Sequence, residues 1–285
     1  MRLHLLLISF LMFALPAFAV DSDSTVAVVR PVLSSYSLEI GSAHQCDTYL
    51  TPLHYSGWQT AFDYERMQAM RHDPDRNVMA LGARLSVART LNQAGTAAMW
   101  SIALCPRWAM MWRYRVGCGF TLAGGGGVAA SIGAVSLMRN GNNPVSARAA
   151  ITAGITGMAV WNGSLGHLPV TIFYRPSMPL IGAFFSPDYD ELYYEIWLGN
   201  HKGLCHAAWP GSYFRLDNQL AADLHFGATT LRIGYRCDIT STKAAGIVSR
   251  DITHAFVIGV TAEWISLRAG SRRTPDARII SALYE

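Results

Sequence analysis

From Trp112 to Leu122 the chain alternates without a break. Trp112, Tyr114, Val116, Cys118, Phe120 and Leu122 take the even positions; Arg113, Arg115, Gly117, Gly119 and Thr121 take the odd ones. Successive side chains of a strand point to opposite faces, so this stretch reads as one strand with an apolar face and a polar or small face. The pattern recurs. Tyr36, Leu38 and Ile40 oppose Ser35, Ser37 and Glu39; Leu81, Leu85 and Val87 oppose Gly82, Arg84 and Ser86. Further on, Leu231, Ile233, Tyr235 and Cys237 oppose Arg232, Gly234, Arg236 and Asp238, and Phe256 to Trp264 alternates likewise. Repeated strands of about ten residues, apolar on one face and polar on the other, mark a transmembrane β-barrel.

The polar face separates this reading from a soluble sandwich, which shows the same alternation with its apolar face inward. That face is rich in Gly, Ala, Ser and Arg, and only 15% of all residues are charged, against about 25% in ordinary soluble domains. The best candidate for a helical span, Gly95 to Trp112, is interrupted by Pro106-Arg107. The expected fold is therefore all-β: an antiparallel up-and-down transmembrane β-barrel of roughly twelve strands, which closes without exposed edges. Trp58, Trp100, Trp112 and Trp264 fall near strand ends on the apolar phase and suit aromatic girdles.

Met1 to His4 gives a short positive start, Leu5 to Phe18 an apolar run, and Ala17-Phe18-Ala19 a small-x-small cleavage pattern. Residues 1–19 read as a signal peptide and residues 20–285 as a single barrel domain, expected in the outer membrane of a Gram-negative bacterium. Two segments look irregular. Gly124 to Ser146 reads as a long loop or a lumen segment, and Pro176 to Pro179 as a break in the ladder. Arg278 to Tyr284 is the expected closing strand.

Several further segments carry a resemblance: Asp47 to Gly57, Tyr64 to Met67, Gly141 to Ala147, Gly182 to Pro187, Tyr193 to Ile196 and Thr229 to Tyr235. Together they resemble an uncharacterised family of exported proteins of Gram-negative gut bacteria, classed as domain of unknown function 3316. The resemblance implies an exported, β-rich protein and supplies no activity or catalytic residue.

Within the barrel reading, the polar phase gathers Asp63, Glu65, Arg84, Arg113, Arg115, Arg232, Arg236 and Glu263 into a lumen charge network. Charged rings can set ion preference in a channel; side chains can equally fill a narrow barrel as a structural lattice. The positive balance rests on arginine, with lysine only at Lys202 and Lys243. The arginines are scattered, so nucleic-acid binding is not expected. The expected partners are outer-membrane lipid and small polar solutes.

The leading reading is a structural or transport-type barrel with a narrow or plugged pore. An outer-membrane lipid or peptide hydrolase and a soluble periplasmic binding protein are the alternatives. For the hydrolase, the histidines (His44, His54, His72, His167, His201, His206, His225 and His254) accompany no GxSxG elbow. His201, Cys205 and His206 lack a second matched pair for zinc, and no P-loop or HExxH occurs. No catalytic residue, metal or cofactor is assigned. Of the five cysteines, Cys46 and Cys205 fall in expected loops and are the better disulfide candidates.

Overall fold

The computed structural model describes residues 28–141, 143–189, 192–199, 201–227, 229–265 and 278–284; the expected signal peptide lies outside them. The strands are β1 (Val28–Val29), β2 (Val32–Asp47), β3 (Thr51–Ala69), β4 (Asn77–Asn92), β5 (Ala98–Gly117), β6 (Phe120–Ser136), β7 (Val145–Leu165), β8 (Leu168–Phe185), β9 (Cys205–Ala208), β10 (Tyr213–Phe226), β11 (Thr229–Ala244), β12 (Ile247–Trp264) and β13 (Arg278–Ile279). One short helix, α1 (Tyr193–Trp197), lies between β8 and β9.

Strands β2 to β8 pair in sequence order, antiparallel throughout. β8 then pairs with β10, and β10, β11, β12 and β2 follow in turn. The ring is complete at ten strands, and every ladder edge along it is paired. This is the up-and-down barrel that the alternation predicts. The count of roughly twelve falls to ten because strands that look separate are single. The strand read from Thr96 to Leu104 and the one that begins at Trp112 both fall on the twenty-residue β5, which starts at Ala98 and has Pro106 inside it.

The opening stretch itself contains a turn. Gly117, Cys118 and Gly119 all have positive φ (107°, 52° and 77°), the left-handed region that glycine enters at low cost. The alternation conceals this turn for a geometric reason. Across β5 and β6, Trp112 pairs with Gly124 and Tyr114 with Leu122. Paired residues have the same parity, so even positions face outward on both strands and the pattern runs straight through the hairpin.

The expected loop from Gly124 to Ser146 is also mostly strand. β6 runs through the four glycines to Ser136, leaving a connection only from Leu137 to Pro144. Here glycine serves close approach: a Cβ on Gly125 would lie 2.0 Å from the Met110 carbonyl oxygen of the neighbouring strand. Nor does Arg278 to Tyr284 close the barrel. β12 does so against β2, while β13 pairs in parallel with β1 outside the ring.

The barrel is inside out relative to a soluble protein. Ile40 is 57% exposed and Phe62 49%, whereas Arg232 is 2% and Asp223 0%. Trp58 and Trp100, with rings 6.1 Å apart, stand outward near one end; Trp112 and Trp264 stand outward near the other. Trp100 and Trp112 are twelve residues apart on β5, about 40 Å along a strand. At a typical tilt of roughly 35–45° that is about 30 Å of height, enough for an apolar band of about 25 Å with aromatic girdles. We expect Leu85→Arg, at mid-height on the outer face, to cost about 2–4 kcal/mol of stability in urea titrations in lipid vesicles. An unchanged midpoint would mean this face meets water.

The two ends differ. At one, β5 to β6, β7 to β8 and β10 to β11 turn tightly, and β1 and β13 lie nearby. At the other, β11 to β12 also turns tightly, but this end carries the longest connection, the excursion from Ser186 to Ser212 with α1 and β9. β9 extends the sheet beside β8, pairing Phe185 with Cys205.

A charge-filled lumen and its plug segment

At mid-height six carboxylates and six guanidinium groups interlock inside the barrel. Arg236 holds the centre. It donates to Glu39 at 2.9 Å, to Asp63 at 3.3 Å and, in a forked pair, to both oxygens of Asp217. Arg84 shares Glu39 at 2.9 Å and Arg107 clamps Asp63 at 2.8 and 2.9 Å. Arg215 clamps Asp238 at 3.1 and 2.7 Å. Arg175 bridges Glu65 and Gln219. Arg232 clamps Asp223 at 2.7 and 2.8 Å and lies over the Phe173 ring. Forked guanidinium–carboxylate pairs suit such a layer because both partners are held in one plane.

Local pairing brings these groups together. Asp223 lies opposite Arg232 across β10 and β11, and Asp63 opposite Arg84 across β3 and β4. The chemistry therefore rests on strand register rather than on loops. Five residues of the expected network, Asp63, Glu65, Arg84, Arg232 and Arg236, meet in this layer. Three do not. Arg113 is buried at the turn end, where it binds backbone carbonyls. Arg115 is exposed beside the Gly117 turn, and Glu263 is exposed and accepts from the Ser281 hydroxyl. Alternation gives the side of a strand and not the height along it, so residues at the rim share the phase of residues in the layer.

The layer also contains residues absent from the expected set. Glu39, Asp223 and Asp238 lie on the polar phase of strands read correctly. Arg107, Arg175, Arg215 and Asp217 lie where strands continue past the boundaries read from sequence. Extending the alternation through Pro106, past Tyr174 and back from Leu220 finds them.

The lumen's turn end is apolar. Leu33, Met67, Val78, Met111, Met158, Val160 and Phe173 point inward there, and Ala282 and Leu283 pack among them. The 278–284 segment thus enters the mouth and covers a surface that would otherwise face water. Arg113 donates to the carbonyls of Ser281 at 2.6 Å and Ala282 at 3.3 Å, and to those of Pro74 and Asp75 in the β3–β4 turn. The Tyr284 hydroxyl donates to Asp223 at 2.8 Å, and its ring stands edge-on to His225. Burial, with the Asp223 carboxylate beside it, pushes the Tyr284 phenol well above its ordinary value, so it remains a donor.

Two cavities occupy the rest of the lumen. One of about 150 Å³ lies between the charge layer and the loop end; one of about 90 Å³ lies beside the layer along β4 to β8. Arg84, Cys105 and Arg215 line both, and the smaller one reaches Ala80 and Met111.

His225 meets Thr171 and Thr230, His206 meets the Ser186 carbonyl, and His254 meets the Tyr235 hydroxyl. These contacts hold side chains in place and form no nucleophile–base–acid series. Among the described residues no three His, Cys, Asp or Glu side chains converge as a metal site. The five cysteines are free thiols. Cys46 lies in β2 and Cys205 in β9 rather than in loops, which corrects their reading as disulfide candidates.

A closed barrel, apolar outside and filled by paired charges within, is a β-barrel fitted to a lipid bilayer. The chain belongs to the family described as "Protein of unknown function (DUF3316)", whose model matches residues 3–271. No curated protein matches it. Among solved structures it is similar to the translocator domain of autotransporter NalP from Neisseria meningitidis, at 8% identity and a TM-score of 0.38 over 86% of this chain and 90% of that one. It is similar to the COG4313 outer membrane channel from Pseudomonas putida F1, at 10% identity and 0.35 over 86% and 100%. It is also similar to a FadL homologue from Pseudomonas aeruginosa, at 12% identity and 0.30 over 83% and 90%.

Proposed function

We propose that the protein is an outer-membrane barrel of transport type, exported by the leader read in residues 1–19, that conducts small polar solutes and is held shut by its 278–284 segment. The observation that carries this reading is a pair of lumen cavities that share the lining residues Arg84, Cys105 and Arg215, the smaller reaching Ala80 and Met111 in the apolar cluster that Ala282 and Leu283 join. A barrel kept only as a structural element has no need of internal cavities that end against a separate segment of chain. The short turns belong on the periplasmic side and the longer connections outside, so the segment closes the barrel from the periplasm.

Liposome swelling tests the reading. Vesicles carrying the full chain should swell slowly in isosmotic glycerol. Vesicles carrying a chain ended at residue 277 should swell severalfold faster. If the shortened protein folds, judged by heat-modifiable migration, and its vesicles stay as tight as empty ones, the pore reading fails.

A further inference from the structure

The arginines of the lumen layer meet carboxylates, but a set of cations on the outer face near the loop end meets none. His44 and His54 lie on the outward phase of β2 and β3, Arg250 on that of β12 and Lys243 on that of β11, and all four are exposed. Among the described residues none of these four side chains forms a hydrogen bond or an ion pair. Register gathers them. Ile252 pairs with His44 and Arg250 with Cys46, so Arg250 and His44 are diagonal neighbours. Ser241 pairs with Arg250 and Lys243 with Val248, so Lys243 flanks Arg250 on its other side. Ser56 pairs with His44, and His54 lies two residues from Ser56. Diagonal neighbours across a ladder stand about 7–8 Å apart, within reach of long side chains. No carboxylate takes the outward phase of these four strands. Asp47 and Asp251, the acids adjacent in sequence to Cys46 and Arg250, face the lumen, where Arg148 meets both.

We propose that this patch holds the headgroup of an outer-leaflet glycolipid that carries two phosphates. This rests on the outer-membrane placement and orientation above, and not on the pore. Depth supports it. Trp58 of the girdle pairs with Ser42; His44 and Cys46, the partner of Arg250, follow two and four residues further along β2. At about 3.3 Å per residue and the usual tilt, that is about 5–10 Å beyond the girdle, in the headgroup layer outside the hydrocarbon core. The apolar band continues directly below, with Ile40 and Phe62 exposed, so one surface meets both acyl chains and headgroup. The chemistry is complementary. Arg250 and Lys243 bring positive charge and N–H donors, and the two imidazoles add donors; a phosphate brings negative charge and acceptor oxygens. Width sets the number of phosphates. β11, β12, β2 and β3 are consecutive in the barrel, so the patch spans three strand spacings, about 14 Å, more than one phosphate covers. The turn end has no such patch: on the outward phase of these four strands Arg66 is the only arginine or lysine there.

Microscale thermophoresis of the full chain in detergent tests the site, with diphosphorylated lipid A, its monophosphorylated form, phosphatidylcholine and sodium phosphate as separate titrants. The diphosphorylated lipid should bind saturably and at least about fivefold tighter than the monophosphorylated one; phosphatidylcholine and free phosphate should not bind. Arg250→Gln combined with Lys243→Gln should weaken lipid A binding at least about tenfold. Arg66→Gln, which removes an outward cation at the other end, should leave it unchanged. Both proteins should keep the parent's heat-modifiable migration, because the side chains removed at the patch are exposed and unpaired. Salt gives the same reading without a mutation: raising sodium chloride from about 0.05 M to about 0.5 M should loosen lipid A on the parent chain. Phosphatidylcholine bound as tightly as lipid A would reduce the surface to acyl-chain contact and overturn the proposal. Free phosphate bound as tightly would make it an anion site with no need of lipid, and overturns it as well. So does a double variant that binds like the parent, or an equal loss in Arg66→Gln. Lipid A binding with no swelling in the shortened-chain vesicles supports the patch while the pore reading fails; swelling with no preference for lipid A does the reverse.

Discussion

Arg236→Met is expected to destabilise the barrel by about 3–5 kcal/mol, the cost of leaving buried charge without its partner. Arg236 is 2% exposed and is the only ion-pair partner found for Asp217 among the described residues. It also supplies one of the two guanidinium groups on Glu39 and one of the two on Asp63. Methionine fills much of the same volume, so packing changes little and the loss is electrostatic. The double variant Arg236→Met with Asp217→Leu should recover a large part of the stability, because a buried ion pair replaced as a unit by apolar groups is often neutral. The cycle of two single variants and the double one therefore reports the coupling directly. Urea unfolding in lipid vesicles, followed by tryptophan fluorescence, measures all four proteins. A single variant within about 1 kcal/mol of the parent, comparable to an exposed pair, would mean that water reaches the layer freely.

The same layer separates what the residues disclose from what they withhold. Period-2 alternation is a local property, and it disclosed the class of fold, the apolar exterior and the inward phase of Asp63, Glu65, Arg84, Arg232 and Arg236. Strand length is not local. Pro106 ends a strand by the usual rule, because it donates no ladder bond. In the barrel the β5–β6 pairing steps from Leu104–Ile132 to Arg107–Ala129, and the proline sits in that gap. β8 likewise runs through Pro176 and Pro179, with the β7 pairing stepping from Thr156–Ser177 to Ala159–Tyr174. The ladder tolerates prolines where one side is already open, and no single strand can display that in its own sequence. Depth is equally hidden. Arg113 and Arg232 share a phase, yet one sits at the mouth among carbonyls and the other in the charged layer. The difference comes from register with the neighbouring strands. The plug was hidden for a third reason: an inward face of Met, Val and Phe at one end breaks the polar-lumen rule, and its cover arrives from far along the chain.

That cover gives the second large effect. Arg113→Ala is expected to release the 278–284 segment from the lumen. The guanidinium joins two parts of the mouth, accepted by Pro74 and Asp75 on the β3–β4 turn and by Ser281 and Ala282 on the segment. Hydrogen bonds from a charged donor contribute about 1.5–3 kcal/mol each, and the Ala282 contact is long, so the segment should lose about 2–4 kcal/mol of hold. That raises the released fraction roughly 30- to 1000-fold. Other restraints remain: β13 pairs with β1, and the Ile280 N–H donates to the Val29 carbonyl at 2.9 Å. Asn162 reaches the Leu283 carbonyl only at 3.5 Å, and the Arg278–Asp75 pair is exposed. Tyr284→Phe, which keeps the ring on His225 and removes one bond to the Asp223 carboxylate, should cost about 1.5–3 kcal/mol. Amide exchange of residues 280–284 measures the release, and vesicle swelling measures its consequence. Arg113→Lys should fall between the parent and Arg113→Ala, since one ammonium cannot span four carbonyls arranged around a planar fork. Exchange as slow in Arg113→Ala as in the parent would show that apolar packing of Ala282 and Leu283 alone keeps the mouth shut. Fast exchange with swelling still at the parent's rate would move the barrier from the segment to the layer around Arg236, whose double variant is then the protein to test for flux.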